Sequence, residues 1–263
     1  MFQFIKRISA LVHLKKSGVQ ICRTIEFNLK MLPFREAIHL PFILYGKVLY
    51  GECVSYKLGG GIRRKCNKRL KFNSWQIGYP VYHLEATNMA TKLIVKGILM
   101  VGECGRIYTG SCIIVQPNAK LQIGTGFSIC TYSRLVCYNK IEIGDHVIVS
   151  WECQIYDTNF HYTSDANGDV RKKDGSVVIG NNVWMGNRSS LTKGSAMPSD
   201  SIVASNSMVN KDYSNSPSGL YAGIPATLIK PNCHAEFSIE GTLNNYFMTN
   251  PNASSVNIKT LKS

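Results

Sequence analysis

The amino-acid sequence predicts a mainly β protein whose central part is a parallel β-helix. Three observations lead to this fold class. An apolar residue recurs at every sixth position, small residues hold a fixed place between those positions, and the composition is that of a folded protein. The chain has 263 residues, of which 44% are hydrophobic and 17% charged. This composition excludes a wholly disordered chain and allows a sizeable core.

The six-residue period is clearest in the C-terminal half. From Ile179 onward, every sixth residue is apolar: Ile179, Met185, Leu191, Met197, Val203 and Val209. A period of six fits neither a helix of 3.6 residues per turn nor an alternating strand. It is typical of short strands joined by tight turns, three of which close a coil of about 18 residues. A sandwich of many short strands, the alternative, would space its strands about 8–12 residues apart.

The residues between the apolar positions describe the expected corners of the coil. The fourth residue after each of the first five apolar positions is small or β-branched: Val183, Ser189, Ser195, Ser201 and Ser207. Glycine follows several apolar positions, as at Gly144, Gly180 and Gly186. We expect these glycines to supply turn dihedral angles that other residues reach only with strain.

The period breaks after Ile155. The next three positions in phase are His161, Asn167 and Lys173, and a coil cannot bury three such polar residues at its inward positions. We therefore expect residues 157–176 to leave the β-helix as a loop. Long loops on rigid scaffolds often carry binding and catalytic groups, and the imidazole of His161 suits a general base at neutral pH.

The stretch from Ile179 to Lys230 resembles the signature of the hexapeptide-repeat acyltransferases. It contains, in order, the strings VWMG, LTKG, SIVASNS, NKD and AGIPA. The resemblance covers about residues 90–231 and is strongest to sugar O-acetyltransferases of polysaccharide and capsule biosynthesis, including the galactoside and maltose acetyltransferases. It implies left-handed coils, a homotrimer, and acetyl-CoA as acyl donor in a groove between neighbouring subunits.

The resemblance also implies roles for individual residues. His161 would remove the proton from the acceptor hydroxyl. Asp157 would hold the other ring nitrogen of that histidine, with Glu152 or a carboxylate of another subunit as the alternative. Seven residues are expected to contact acetyl-CoA: Trp184, Gly186, Asn187, Ser205, Asn210, Lys211 and Lys230. The backbone around Gly186 and Asn187 would hold the oxyanion, and the lysines would meet the nucleotide phosphates.

The net charge, and the spacing of the cysteines and histidines, limit which partners and cofactors we expect. The net charge of +14 favours an anionic partner. The basic run from Arg63 to Lys71 contains no recognisable nucleic-acid motif, so we do not expect nucleic-acid binding. The nine cysteines and six histidines show no spacing that suits a metal, and we expect no metal cofactor.

Three parts follow along the chain. Residues 1–90 are predicted as an N-terminal α/β extension with a basic amphipathic helix at 1–16, residues 91–231 as the β-helix, and residues 232–263 as a short helix and a mobile tail. The N-terminal helix either packs on its own domain or lies on an anionic membrane surface. The chain has no convincing signal peptide or membrane span, so we expect a cytoplasmic protein, with the inner face of the membrane as its alternative place.

These observations predict an acetyl-CoA-dependent O-acetyltransferase that modifies a sugar hydroxyl of a polysaccharide, capsule or lipopolysaccharide precursor. Two alternatives remain open from the residues alone. One is an N-acetyltransferase acting on a nucleotide-linked amino sugar. The other is a non-catalytic β-helix scaffold that binds acidic glycans.

Overall fold

The computed structural model describes residues 2–50, 61–65, 67–80 and 89–237. Three α-helices precede the sheets, and a short 3-10 helix joins the first two. Their bounds are α1 (Phe2–Leu14), α2 (Ile21–Met31) and α3 (Phe34–Ala37), with the 3-10 helix at Lys15–Ser17.

The strands of the described residues form three long sheets and one small hairpin. Sheet I contains β1 (Phe42–Leu44), β4 (Trp75–Tyr79), β7 (Gly105–Tyr108), β10 (Phe127–Ile129), β13 (Ile148–Val149), β18 (Trp184–Met185), β21 (Ile202–Val203), β23 (Gly219–Gly223) and β24 (Ala226–Pro231). Sheet II contains β2 (Val48–Leu49), β5 (Thr91–Val95), β8 (Cys112–Val115), β11 (Arg134–Cys137), β14 (Gln154–Tyr156), β19 (Ser190–Leu191) and β22 (Met208–Val209). Sheet III contains β3 (Gly61–Arg64), β6 (Ile98–Val101), β9 (Lys120–Ile123), β12 (Lys140–Ile143), β17 (Val177–Ile179) and β20 (Ala196–Met197), and the hairpin pairs β15 (Thr163–Ser164) with β16 (Val170–Arg171).

Successive strands occupy sheets I, II and III in turn, so the chain winds into a three-sided prism of stacked parallel coils. Apolar residues in register on adjacent coils point inward together. In sheet I this inward column is Ile129, Val149, Met185, Val203 and Tyr221. All of its members are fully buried, and they belong to one continuous apolar core. The predicted fold class, a mainly β protein built on a parallel β-helix of hexapeptide repeats, is confirmed, and its left-handed coils remain what the resemblance implies.

The corners of the coils use their glycines for space. A Cβ added to Gly144 would lie 2.4 Å from the Oδ1 atom of Asn181, on the next coil. The left-handed backbone falls two positions after these glycines, at His146 (φ 56°) and Asn182 (φ 55°). The expectation that glycine supplies the turn dihedral is therefore wrong at this corner. The expected small corner residues are buried: Val183, Ser189, Ser195, Ser201 and Ser207.

The stack of coils begins well before residue 91, where the sequence places the start of the β-helix. Strand β1 pairs in parallel with β4, and β2 pairs with β5, so residues of the predicted extension form the first coils. Phe42 pairs with Trp75, whereas in the regular coils Met185 pairs with Val203. Paired residues of the early coils are therefore farther apart in the sequence than those of the regular coils. This longer separation removes the six-residue period, so the sequence pattern does not reveal the early coils.

Side chains of α2 satisfy the free edge of the first strand. The Nδ2 group of Asn28 donates to the Phe42 carbonyl at 2.7 Å, and the Phe42 N–H donates to Asn28 Oδ1 at 3.2 Å. The N–H of Leu44 donates to Thr24 Oγ1 at 3.1 Å. Because Asn28 and Thr24 are fully buried, these bonds replace the neighbouring strand that β1 lacks.

The first helix packs against the protein itself. Leu11 is fully buried in a second apolar cluster, and Phe4 and Ile8 pack against that cluster. Arg7 on the same helix contacts the ring of His39. Of the two predictions for this helix, packing on its own domain is the one seen. Within the described residues, no helix combines the length and the apolar composition that crossing a bilayer requires.

Strand β24 returns antiparallel to β23 and is the last strand of sheet I. The helix and tail predicted after residue 232 fall, from residue 238 onward, outside the described residues.

Candidate functional site

A long excursion leaves the prism at the edge between sheets II and III. It starts after β14 ends at Tyr156 and returns where β17 begins at Val177. The coil resumes in register, because Val177 pairs with Ile141 of the preceding coil. The hairpin of β15 and β16 forms the outer part of this loop, which we call the 157–176 loop. Its position agrees with the three polar residues that a coil could not bury.

Asp157 anchors the loop to the prism. Its side chain is fully buried. Its carboxylate accepts hydrogen bonds from the backbone N–H groups of Tyr138 at 2.7 Å, Asn139 at 2.8 Å and Lys140 at 2.7 Å. These groups belong to the turn between β11 and β12, one coil earlier. Both carboxylate oxygens are engaged by this turn, and the predicted role of Asp157, orienting His161, stays a prediction.

A short ladder of backbone bonds stiffens the foot of the loop. The N–H of Gly175 donates to the Asp157 carbonyl at 2.9 Å, and the N–H of Asn159 donates to the Lys173 carbonyl at 2.8 Å. Thr158 is fully buried between these bonds. His161 follows directly after this foot and is exposed, so its imidazole is available to a ligand while its backbone is held.

Phe160, the residue before His161, has a left-handed backbone with φ of 62°. This conformation is an outlier for a bulky residue and marks a position held by its surroundings. The Phe160 N–H donates to Thr158 Oγ1 at 3.1 Å. Its ring meets Tyr138 edge-on at 5.6 Å and lies 6.1 Å from the ring of Tyr156. These contacts fix the direction in which the chain presents His161.

A cavity of about 470 Å³ lies on the outer face of sheet II beside this foot. Its lining residues are Arg134, Val136, Gln154, Ile155, Tyr156, Asn159 and Phe160. Sequence reasoning missed this cavity. The available signal was the alternation of β11 and β14, whose outward residues include Arg134, Gln154 and Tyr156, with β14 directly before the break in the repeat.

The expected donor-binding residues divide into two groups. Trp184 lies on the outer face of sheet I, 37% exposed, and its Nε1 group donates to Ser150 Oγ at 3.0 Å. Gly186 and Asn187 follow at the corner between sheets I and II. Ser205 sits on the next coil and donates from its Oγ to Asn187 Oδ1 at 2.6 Å. These four residues form one continuous strip.

The other three expected residues lie elsewhere. Asn210 and Lys211 are exposed after β22, at the edge between sheets II and III, and Lys230 is exposed on β24. Within one chain, the strip at the corner of sheets I and II and the 157–176 loop therefore stand on opposite edges of sheet II. The strands of sheet II are short, and β14 has three residues, or roughly 10 Å of chain.

The two proposed oxyanion donors differ in whether their backbone N–H groups are already hydrogen-bonded. The N–H of Gly186 donates to the Val203 carbonyl at 2.7 Å, so this group is already used within the prism. The backbone N–H of Asn187 has no acceptor among the described residues. Of the pair predicted from the sequence, Asn187 is thus the one that can meet a ligand.

Two thiols, Cys137 beside Asp157 and Cys130 at the corner between sheets I and II, are poor nucleophiles. Burial raises the pKa of the Cys137 thiol, and the adjacent Asp157 carboxylate raises it further. Burial likewise raises the pKa of Cys130 to about 11. Because the thiolate is the reactive form, these side chains are unsuited to carrying an acyl group. No cluster of three potential metal ligands occurs in the part of the chain that the structure describes.

Comparison with known proteins gives two similar sequences. The galactoside O-acetyltransferase of Escherichia coli (strain K12) is 24% identical over 165 residues, which cover 62% of this chain and 78% of that protein. An uncharacterized 24.8 kDa protein in the cps region of Klebsiella pneumoniae is 39% identical over 142 residues, covering 51% of this chain and 63% of that protein. No family model matches the chain.

Two solved structures are also similar. The polysialic acid O-acetyltransferase OatWY aligns with a TM-score of 0.44 at 21% identity, over 67% of this chain and 88% of that one. The polysialic-acid-specific acetyltransferase NeuO aligns with a TM-score of 0.39 at 18% identity, over 79% and 93%.

The chain thus has the six-residue repeat and the three-sided prism that it builds, and its sequence is similar to that of a galactoside O-acetyltransferase.

Proposed function

We propose that this protein transfers an acetyl group from acetyl-CoA to a hydroxyl of a sugar in a polysaccharide, capsule or lipopolysaccharide precursor. One observation carries the proposal. The regular coils open after β14, and there a hydrogen-bonded foot holds the chain just before the exposed His161, which directly follows the cavity residues Asn159 and Phe160. The similarity to a galactoside O-acetyltransferase supports a sugar acceptor.

In the proposed reaction His161 accepts the proton of the acceptor hydroxyl as the oxygen attacks the thioester carbonyl. The C–O bond forms while the carbonyl oxygen gains negative charge, and collapse of this intermediate releases the coenzyme A thiolate. The backbone N–H of Asn187 donates to the developing oxyanion, which is often a large term in acyl transfer. The raised pKa values of the nearby thiols favour this direct route over a cysteine-bound intermediate.

Acetyl-CoA is the proposed donor, and the strip of Trp184, Gly186, Asn187 and Ser205 is its proposed contact near the thioester. Ser205 donates to the Asn187 oxygen, so the Nδ2 group of that amide is the end proposed to donate to the ligand. Asn210, Lys211 and Lys230 remain the proposed contacts of the pantetheine and phosphate groups. The seven free cysteines of the described residues agree with a reducing compartment, in which we place the reaction.

We further propose a homotrimer whose sites lie between subunits. His161 and the strip around Asn187 occupy opposite edges of sheet II, so within a single chain the width of this sheet, roughly 10 Å, separates them. A neighbouring copy that brings its strip against the 157–176 loop would complete the site. A ring of three copies closes such a head-to-tail contact.

The test follows coenzyme A release from acetyl-CoA with a panel of sugars, using the wild type and His161→Ala. Activity that falls by at least about 10²-fold in the variant supports the enzyme and its base, whereas equal activity in both rejects His161. His234→Ala, which removes another exposed histidine outside the loop, is the matched control.

Two further measurements separate the alternatives. Mild alkali cleaves an acetyl ester on the product and leaves an amide intact, so a product resistant to alkali rejects O-acetylation. Absence of turnover together with absence of acetyl-CoA binding rejects the enzyme in favour of a scaffold.

A further inference from the structure

The cavity beside His161 has a wall that is basic on one side and aromatic on the other. On sheet II, Arg134 of β11 pairs with Gln154 of β14, and Val136 pairs with Tyr156. These four side chains alternate with the buried core residues of the same strands and therefore face outward. They form the floor of the cavity, and Asn159 and Phe160 of the loop form its side.

The guanidinium of Arg134 stands in this cavity without a partner. It makes no hydrogen bond or ion pair with the described residues, and no Asp or Glu is among the residues that line the cavity. Other arginines are paired: Arg64 with Glu36 at 3.3 Å and Arg188 with Glu152 at 2.6 Å. An unpaired guanidinium flanked by the amides of Gln154 and Asn159 is a group of donors suited to an anion with two oxygens.

The aromatic side of the cavity is held in place by the strained foot of the loop. The φ of 62° at Phe160 and its ring contacts with Tyr138 and Tyr156 set the ring at the rim of the cavity. His161 is the next residue in the chain. A ring that packs on Phe160 and Tyr156 would therefore have its hydroxyls near the imidazole, and aromatic faces suit the apolar face of a pyranose.

From these contacts we infer that the acceptor is an acidic sugar, whose anionic group binds Arg134 while its ring packs on Phe160 and Tyr156. This inference rests on the proposed function and specifies its substrate class. Arg134 contacts the acceptor and does not take part in the proton transfer. A carboxylate and a phosphate share the chemistry that Arg134 recognises, so the experiment includes both.

The experiment compares three acceptors of the same linkage: a glucuronate-bearing oligosaccharide, its carboxyl-reduced form, and a form that carries a phosphate. In the wild type, an acidic form should exceed the reduced form in kcat/KM. Arg134→Gln should lower this ratio by roughly tenfold to a hundredfold, mainly through KM, the scale expected for hydrogen bonds to a charged group. Arg134→Lys, which keeps the charge and loses the planar fork, should retain part of the preference.

Lys92→Gln is the matched control. Lys92 is exposed in the same outward column of sheet II and is separated from Arg134 by Cys112, so it lies two strand spacings, about 10 Å, away. Its removal takes the same charge from the same face and should leave the ratio unchanged. An equal fall in both variants would show general electrostatic attraction and would overturn the role of Arg134.

The outcomes separate this inference from the proposed function. A wild type that uses all three acceptors equally, or an Arg134→Gln variant that keeps the preference, overturns the inference and leaves the acetyltransferase standing. Binding of the acidic oligosaccharides, measured by calorimetry without acetyl-CoA, gives a readout independent of turnover. If the wild type shows no turnover but binds the acidic oligosaccharides, and Arg134→Gln loses that binding, the reaction is rejected and the pocket is supported. The acidic form that is preferred identifies the anion.

Discussion

The carboxylate of Asp157 joins the protruding loop to the preceding coil through three backbone N–H groups, all between 2.7 and 2.8 Å. Asp157→Ala leaves these donors without an acceptor in a buried place. We expect the free energy of unfolding to fall by about 3 kcal/mol, because buried donors that lose a charged acceptor are costly. Thermal melting of the variant measures the loss.

Asp165→Ala is the control for this prediction. Asp165 also accepts two backbone N–H bonds, from Asn167 and Asp169, but at the exposed tip of the hairpin, where water replaces them. We expect the free energy of unfolding of this variant to fall by less than about 1 kcal/mol. If Asp157→Ala melts like the wild type and loses only activity, then the carboxylate serves catalysis rather than the anchor.

Two corner glycines test whether close contact between coils or a left-handed backbone matters more for stability. Gly144→Ala places a Cβ 2.4 Å from Asn181 Oδ1 and from the neighbouring coil, so the coils must separate. Gly194 is left-handed, with φ of 76°, and an added Cβ there meets nothing within 4 Å. We expect Gly144→Ala to lower the free energy of unfolding by about 2–3 kcal/mol, and Gly194→Ala to lower it by about 1 kcal/mol. Denaturant unfolding of the two variants checks the order, and the reverse order would mean that dihedral strain outweighs coil contact.

At the scale of elements, the contact between α1 and the segment after α3 depends on the charge of one histidine. His39 is buried, and burial lowers its pKa, while Arg7 and Arg69 lower it further and Glu36 raises it. Because the folded pKa lies below the unfolded one, the stability from neutral His39 is fully present above about pH 6.5. It is lost as the pH falls towards the folded value.

Melting temperatures of the wild type and His39→Gln between about pH 7.5 and pH 5.5 test this coupling. Glutamine can still accept from Arg7 and does not titrate. We expect the wild type to lose several degrees relative to this variant as the pH falls. His13→Gln on the exposed side of α1 should follow the wild type. Parallel curves for wild type and His39→Gln would mean that the Arg7 contact does not depend on protonation.

At the scale of the whole molecule, the proposed sites between subunits predict complementation. His161→Ala removes the base, and Asn187→Asp keeps the acceptor for Ser205 while placing a negative charge where the oxyanion forms. Each variant alone should be inactive. When the two are unfolded, mixed in equal amounts and refolded, about a quarter of the interfaces combine two intact halves. Coenzyme A release by the mixture measures the recovery, and a mixture as inactive as its parents would place both groups in one chain.

The sequence predicts the regular coils well and the early ones poorly, for a physical reason. Between Ile179 and Val209 each strand and corner has the same length, so inward residues repeat every sixth position and are all buried. Phe42 and Trp75 also pair in register, yet they are so far apart in the sequence that no period of six remains between them.

The same limit applies to the candidate site. The place of His161 in a loop outside the coils was predictable, because its position interrupts the period; its role as the base stays a prediction. Arg134 and Tyr156 were not, since outward positions of a coil carry no periodic constraint. The engagement of Asp157 with the turn of another coil is a tertiary contact that spacing along the chain does not encode.

The edge of β1 has a consequence for how far the stack can extend. An open coil end is a template on which another coil, including that of a second molecule, can add. Asn28 and Thr24 already satisfy the backbone of β1 from the side of α2, and at the other end of sheet I the chain turns back antiparallel in β24. Without such ends, coils of successive molecules would stack into a fibril. Here neither end of sheet I offers a parallel strand edge for another molecule, so the stack of coils ends with a single chain.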